Sequence, residues 1–188
     1  MSIKPKNLNF KEATSLPIGA MTAMFLLEKA DLKKDQKILI YGASGSVGSY
    51  AVQIANQQGA LVTGVCSRLN FEMVKSLGAK SLIDYKEEDY SENNEKYDVI
   101  FDAVGKTSKS KAKKVLNSNG TFVSVKMITK EKNEHLKRIK ELAENDLLKS
   151  FIDRTFDLSE IVEAHKYVDT ERKRGNVIIE YAYPYDCS

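Results

Sequence analysis

Residues 38–55, ILIYGASGSVGSYAVQIA, decide the fold expected for this chain. An apolar run typical of a buried parallel strand ends at Tyr41, and small residues follow as far as Gly48. From Ser46 onward the apolar positions recur at helical spacing. The stretch therefore predicts a strand that turns directly into a helix through a loop of small residues.

This loop has the composition of a phosphate-binding turn. A pyrophosphate needs close approach to backbone N–H groups, and the amino end of a helix adds about half a positive charge. Gly45 and Gly48 have the spacing of the last two glycines of G-x-G-x-x-G, and Ala43 takes the first place. We expect free amides of Ser46 and Val47 to face the phosphates. A turn that serves tight packing alone is the alternative, whereas a P-loop is excluded because no Gly-Lys-Ser/Thr is present.

Strand and helix patterns alternate along the rest of the chain. Strands are predicted at 37–41, 60–66, 81–85, 97–105, 120–125 and 176–181. Helices are predicted at 18–30, 46–59, 71–78, 107–116, 136–143 and 158–168, with a turn at 117–120. This alternation predicts an α/β fold, a doubly wound parallel sheet of the Rossmann type in a single domain. The expected division is a lead-in segment with a helix (1–36), the Rossmann domain (37–181) and a tail (182–188).

The composition fits one globular domain without a strong charge. The 188 residues are 42% hydrophobic, and the net charge is +3, which allows an anionic ligand but does not argue for nucleic acid. The basic run at 106–114 is more typical of a solvated helix face. No apolar stretch reaches membrane-spanning length, and the start MSIKPKNLNF lacks a signal-peptide core. We expect a cytoplasmic protein that binds neither membranes nor nucleic acid.

Side chains that could bind a metal or move a proton are scattered. Cys66 and Cys187 have no metal or redox spacing, and His135 and His165 lie on different predicted helices, so no metal site is expected. The possible proton donors are Tyr41, Tyr50 and Lys75. No Tyr-x-x-x-Lys pattern accompanies them beside a catalytic serine, which argues against a short-chain dehydrogenase.

The end of the second predicted strand bears on the choice of dinucleotide. An acidic residue there would hydrogen-bond the ribose hydroxyls of NAD and repel a 2′-phosphate. The sequence reads VCSRLN instead, so that Ser67 and Arg68 offer a hydroxyl and a guanidinium. This pattern favours NADP(H). A solvated position for Arg68 at the start of the next helix is the alternative.

A series of segments along the chain, in this order, bears on its family: NLNFKEATSLPIGAMTA, GASGSVGSYAVQIANQQGA, SLGAKSLIDY, KYDVIFDAVG, NGTFVSV, FIDRTFDLSEIVEAHKYV and RGNVIIEY. With them the chain resembles the cofactor-binding domain of the medium-chain dehydrogenase/reductase superfamily. The quinone-oxidoreductase-like and alcohol-dehydrogenase-like branch is the nearest. The resemblance runs through nearly the whole chain.

The resemblance implies further cofactor contacts. Thr22 on the lead-in helix would lie near the nicotinamide, and Tyr85 near the adenosine phosphate. The segments that flank the two riboses would supply Ala103, Val104, Gly105, Ser124 and Val125. Each also has a purely structural interpretation: Thr22 as a helix-face residue, Tyr85 as a core aromatic and Ser124 as part of a buried strand.

The resemblance also implies a reaction. Hydride would pass between NADP(H) and a small carbonyl, quinone or enone substrate. In the family a GroES-like barrel of about a hundred residues precedes this domain and contributes the substrate cleft, and this sequence contains no counterpart to it. We therefore expect the isolated chain to be inactive and leave open a homo-oligomer. A non-catalytic NADP(H)-binding module or truncated paralogue is the alternative function.

Overall fold

The architecture is an α/β fold built on a five-stranded parallel sheet. The computed structural model describes residues 3–130 and 132–181. The sheet has the order β3-β2-β1-β4-β5. Its strands are β1 (Lys37–Tyr41), β2 (Leu61–Cys66), β3 (Ser81–Asp84), β4 (Tyr97–Asp102) and β5 (Leu116–Ser124). The predicted doubly wound sheet is confirmed. The predicted tail, with Cys187, lies outside the described residues, and the proposed division at residue 37 stays a prediction.

Helices cover both faces of this sheet. They are α1 (Phe10–Lys29), α2 (Ser46–Gln57), α3 (Phe71–Ser76), α4 (Lys109–Lys113), α5 (Asn133–Glu144) and α6 (Ile161–Asp169). Alternate residues of β1 enter two separate apolar cores: Ile38 and Ile40 pack beneath α1, α2 and α5, while Leu39 packs on the side of α4. A central strand buried on both faces explains why the run at 38–40 is continuously apolar.

The lead-in helix α1 begins eight residues before the predicted helix at 18–30. It begins at Phe10 because Asn9 and Glu12 form a capping box, in which each side chain accepts the other's backbone N–H at 2.9 Å. Ile18 is 84% exposed, and the buried face contains Leu16, Ala20, Ala23 and Leu27. Gly19 is also buried and lets α1 lie close against α2, because a Cβ there would lie 2.9 Å from the Tyr50 ring.

The predicted turn at 117–120 is wrong. These residues lie within β5, where the register slips from Tyr97 opposite Leu116 to Val99 opposite Thr121. The polar residues therefore form an irregular stretch on an edge strand, and the Asn117 amide donates to Asp98 at 2.7 Å. The helix predicted over 107–116 is correspondingly short.

A second, two-stranded parallel sheet follows α5. It consists of β6 (Ile152–Asp157) and β7 (Asn176–Glu180), connected by α6. The sequence analysis predicted β7 but not β6, because Ile152–Asp157 is mostly polar. One of these polar residues, Asp153, has a side chain only 4% exposed and accepts hydrogen bonds from the Tyr167 hydroxyl and from the backbone and Nε of Arg174. Asp153 therefore joins β6 to α6 and to the residues that lead into β7.

The charge of Asp153 should contribute to stability in a pH-dependent way. Burial by itself raises the pKa of this carboxyl, but the hydrogen bonds from Tyr167 and Arg174 outweigh it, so that the pKa is lowered from 3.8. A carboxyl with a lowered folded-state pKa stabilises the fold above its unfolded pKa, and the contribution is lost as the pH falls through the folded pKa.

We therefore predict that Asp153→Asn lowers the free energy of unfolding at pH 7 by about 2 kcal/mol. Denaturant titrations at a series of pH values should show the difference from the wild type shrinking below about pH 4. Asp169→Asn, at the exposed end of α6, is the matched control and should leave stability within about 0.5 kcal/mol. A difference at Asp153 that is constant from pH 7 to pH 3 would contradict the role given to its charge.

Candidate functional site

The candidate residues follow the strands at one edge of the main sheet. The register aligns Tyr41 with Val65 and Asp102, Cys66 with Asp84, and Asp102 with Ser124, so that all five strands end level. In open α/β sheets ligands bind outside the carboxyl ends of the strands, where the winding direction reverses. Here that reversal falls between β1 and β4.

The loop after β1 is a tight turn held by the neighbouring strand. The N–H groups of Gly42 and Ala43 both donate to the Val65 carbonyl at 3.0 Å, and the Gly45 N–H donates to the Gly42 carbonyl at 3.0 Å. Gly42 has φ +81°, a conformation that favours glycine. The side chain of Ala43 is fully buried. The backbone N–H groups of Gly42 and Ala43 are thus used in hydrogen bonds within the protein and are not available to a ligand.

The amino end of α2 is open. Its N-cap is Gly45, which offers no capping side chain, and its first turn has no acidic residue. The first helical hydrogen bond runs from the Ser49 N–H to the Gly45 carbonyl at 2.9 Å. The N–H groups of Ser46 and Val47 precede it and have no hydrogen-bond partner in the part of the chain that the structure describes. Such an end attracts an anion through both its amides and the helix dipole.

The two glycines of the motif have different roles. A Cβ on Gly48 would lie 2.1 Å from the Gly42 carbonyl oxygen, so only glycine permits α2 to pack this closely. A Cβ on Gly45 would meet only the same oxygen, at 3.4 Å, which is ordinary contact. Gly48 therefore fixes the packing, whereas Gly45 leaves space in front of the helix end.

Asp102, which the sequence analysis missed, organises the turn after β4. This carboxylate is fully buried and accepts the N–H groups of Val104, Gly105 and Lys106 at 3.3, 2.9 and 3.3 Å. Its second oxygen accepts the Ser124 hydroxyl at 3.0 Å. The sequence did contain a signal for this residue, because an acid at the end of an apolar strand, as in VIFD at 99–102, is unusual. The turn at Ala103–Gly105 and the end of β5 are therefore held by one side chain.

The loops after β1 and β4 touch across the point of reversal. A Cβ on Gly42 would come within 2.5 Å of a methyl group of Val104, whose side chain is 42% exposed. On the far side, the Val125 N–H donates to the Asp102 carbonyl at 3.0 Å. The structure thus brings the predicted loop residues at 43–48, 103–105 and 124–125 to adjoining positions on one edge.

A second group of candidates lies at the ends of β2 and β3. The Asn70 amide donates to the hydroxyls of Ser44 and Ser67, both at 3.1 Å, and joins the glycine loop to the turn after β2. Asp84 accepts the backbone N–H of Arg68 at 3.1 Å and joins that turn to the end of β3. The side chains of Arg68 and Tyr85 are exposed at this end of the sheet.

The remaining candidates lie on helix α1 or are at least half-buried. Thr22 is partly exposed on α1. Tyr50 is fully buried, and burial raises the pKa of its hydroxyl. Burial also raises the pKa of half-buried Tyr41, and raises that of the Cys66 thiol to about 12. Proton donation by either tyrosine at neutral pH is therefore disfavoured.

A cluster of metal-binding side chains is not found in the described part of the chain. Within residues 3–130 and 132–181, no three or more His, Cys, Asp or Glu side chains are grouped so that they could hold a metal ion. His135 is buried on α5 and hydrogen-bonds Glu28 at 2.7 Å, and His165 lies on α6. None of the helices in the described ranges is both long and apolar enough to cross a membrane.

The level strand ends, the glycine turn and the open helix end define a Rossmann-type nucleotide-binding domain. Residues 46–167 match the family model of the zinc-binding dehydrogenases. The chain belongs to this family, within the medium-chain dehydrogenase/reductase superfamily, as the sequence analysis predicted.

Similar proteins include oxidoreductases of about twice this length. A 2-methylene-furan-3-one reductase of Solanum lycopersicum is 34% identical over 95% of this chain and 49% of its own length. An NADPH-dependent alkenal/one oxidoreductase of Arabidopsis thaliana, named as chloroplastic, is 30% identical over the same shares. The structure of the quinone oxidoreductase from Coxiella burnetii superposes with a TM-score of 0.89 at 29% identity, covering 95% of this chain and 63% of that one. The chain thus spans about half the length of these curated relatives.

The different roles of the two glycines predict different mutational effects. Gly48→Ala should lower the free energy of unfolding by about 3 kcal/mol, because a backbone carbonyl blocks the added methyl group. Gly45→Ala, the matched control in the same turn, should change it by less than about 1 kcal/mol. Denaturant titration measures both values. Equal losses at the two positions would contradict the close approach of α2 to the loop.

Proposed function

We propose that this chain is the NADP(H)-binding domain of an oxidoreductase. In that enzyme, hydride passes between the nicotinamide and a carbonyl, quinone or enone substrate. The observation that carries the proposal is the glycine-capped end of α2. There the N–H groups of Ser46 and Val47, which have no partner among the described residues, suit a pyrophosphate. The names of the plant relatives, an alkenal/one oxidoreductase and a furanone reductase, support the substrate class.

The residues near the ends of β2 and β3 support NADP(H) rather than NAD(H). Arg68 and Tyr85 are exposed there, and Ser67 adds a hydroxyl that could hydrogen-bond a 2′-phosphate. Asp84 is the nearby acid, but its two oxygens accept the backbone N–H groups of Arg68 and Lys86, at 3.1 and 3.0 Å. The Arabidopsis relative is named as NADPH-dependent, which agrees with this choice.

The remaining residues would orient the cofactor. Gly45 leaves space for the pyrophosphate, Gly48 allows α2 to pack closely on the loop, and the buried Ala43 lies at the start of the turn. The Asp102-organised turn of Ala103, Val104 and Gly105, with Ser124 and Val125 beside it, would flank the riboses, and Thr22 would lie toward the nicotinamide. The bound nicotinamide supplies the hydride chemistry, and the protein contributes position and electrostatics.

Substrate binding is proposed to need residues beyond this chain. The relatives are about twice as long as this chain, and the two tyrosines nearest the glycine turn, Tyr41 and Tyr50, are half-buried and fully buried. The connection between β6 and β7 exposes Leu158, Ile161 and Val162 by 45%, 37% and 60%. A two-stranded parallel sheet such as β6–β7 is seldom stable without covering layers. We propose that further protein covers this unit, either in a longer enzyme or in a homo-oligomer.

A non-catalytic NADP(H)-binding module is the second candidate function. The same helix end supports it, because nucleotide binding at the end of α2 requires no substrate-binding residues. A cytoplasmic location remains part of the proposal, although relatives named as chloroplastic and mitochondrial exist. Nucleic acid is not proposed as a partner.

Calorimetric titration of the chain with NADPH and NADH tests the cofactor assignment. We predict tighter binding of NADPH, and about a tenfold loss of NADPH affinity in Arg68→Ala with little change for NADH, because only NADPH has the 2′-phosphate. Lys75→Ala removes an exposed cation on α3 and is the control. Tighter binding of NADH, or an equal loss for both cofactors in Arg68→Ala, would contradict the assignment.

The isolated chain should bind NADPH without turning over an enone. The expected result is no saturable, enone-dependent oxidation of NADPH, followed by its absorbance near 340 nm, at protein concentrations that bind the cofactor fully. The missing substrate cleft is the physical reason. Saturable turnover by this chain alone would contradict the proposal that the substrate-binding residues lie outside it.

A further inference from the structure

The first turn of α2 is held in place by the start of β7. The Gly175 N–H donates to the Ser44 carbonyl at 2.7 Å, and Gly175 forms an isolated parallel bridge with Gly45. Gly175 has φ +59°, and a Cβ there would lie 2.3 Å from the Phe151 carbonyl oxygen. The backbone before β7 is therefore hydrogen-bonded to the glycine loop and packs tightly against Phe151.

The next residue, Asn176, contacts α2 directly. Its side chain is buried, and its Oδ1 accepts a hydrogen bond from the Ser46 hydroxyl at 2.5 Å. Its Nδ2 donates to the Phe151 carbonyl at 3.2 Å and to the Tyr50 hydroxyl at 3.3 Å. Three hydrogen-bond partners thus fix the side-chain amide of Asn176. Its oxygen faces Ser46, the first residue of α2.

The hydrogen bonds continue into the interior. The Tyr50 hydroxyl is 2.8 Å from the Ser15 hydroxyl on α1 and 3.3 Å from that of Ser150, just before β6. Elements distant in sequence therefore meet in one buried polar network. An apolar contact could hold α2 against its neighbours, but a directional network also fixes the rotation of its first turn.

We propose that Asn176 is a positioning residue for the pyrophosphate of the cofactor. By accepting the Ser46 hydroxyl, it sets the rotation of the first turn of α2 and so aims the N–H groups of Ser46 and Val47. This inference rests on the proposed NADP(H)-binding function. Asn176 acts through Ser46 and is not assigned a contact with the cofactor.

The test compares two ligands by calorimetry or NMR titration. NADPH contains the pyrophosphate, whereas adenosine 2′-monophosphate carries the 2′-phosphate and adenine without it. Asn176→Ala should raise the Kd for NADPH about tenfold, which corresponds to roughly 1.4 kcal/mol, and change the Kd for adenosine 2′-monophosphate less than about twofold. A general loss of structure would weaken both ligands.

A double-mutant cycle tests whether Asn176 acts through Ser46. Ser46→Ala should weaken NADPH by a similar factor in the wild-type background, and by less than about twofold in the Asn176→Ala background. The matched control is Gln53→Ala. Gln53 is also a buried amide on α2, with hydrogen bonds to the Ser49 and Lys149 carbonyls at 3.1 and 3.0 Å, but it lies beyond the first turn. Gln53→Ala should lower stability and leave the Kd for NADPH within about twofold.

The outcomes separate this inference from the proposed function. Wild-type protein that binds neither ligand would overturn the proposed function and this inference with it. Wild-type binding together with unchanged NADPH affinity in Asn176→Ala, or an equal loss for both ligands, would overturn only the inference. If Asn176→Ala does not fold, Ser46→Ala decides: wild-type affinity for NADPH in that variant overturns the inference, and a loss confined to NADPH supports it.

Discussion

The close approach of α2 to the loop after β1 is the constraint on which the rest of the structure depends. The space between Gly48 and the Gly42 carbonyl has no room for a side chain, since a Cβ would lie 2.1 Å from that oxygen. With the helix this close, its amino end lies directly over the edge of the sheet, and Gly42 meets Val104 across the point of reversal. If α2 lay farther from the loop after β1, the N–H groups of Ser46 and Val47 would no longer lie at that edge.

The edge is built mainly from backbone groups that polar side chains hold in place. Asp102 gathers the turn after β4, Asp84 joins the ends of β2 and β3, and Asn176 meets the first turn of α2 from behind. Each of these residues makes hydrogen bonds, which for the buried Asp102 and Asn176 offset the cost of removal from water. The result is a surface with few side chains in front of the helix end, as close contact between a phosphate and the backbone requires.

The sequence analysis was most successful where one local pattern determines the structure. The apolar run at 38–40 and the glycine spacing predicted β1, the loop and α2, because burial on both faces and close packing leave direct marks in the sequence. The start of α1 was predicted at residue 18 instead of Phe10, because the capping box of Asn9 and Glu12 was not recognised. The turn predicted at 117–120 failed because tertiary pairing with β4 overrides the local preference of polar residues.

Long-range contacts left no comparable local signal. Asp102 could have been found as an acid that closes a buried strand, but the pairing of Ser46 with Asn176 spans 130 residues. The strand β6 was missed because its polar residues, Asp153 among them, find partners on α6 and before β7. These contacts depend on the completed fold, so they could be recognised only in the structure.

The most direct test of the central claim, that the open end of α2 receives the cofactor pyrophosphate, is an amide NMR titration of the chain with NADPH. The account predicts that the N–H resonances of Ser46 and Val47 move among the most, because these groups gain hydrogen bonds to phosphate oxygens. Binding of NADPH with both resonances unchanged would contradict it.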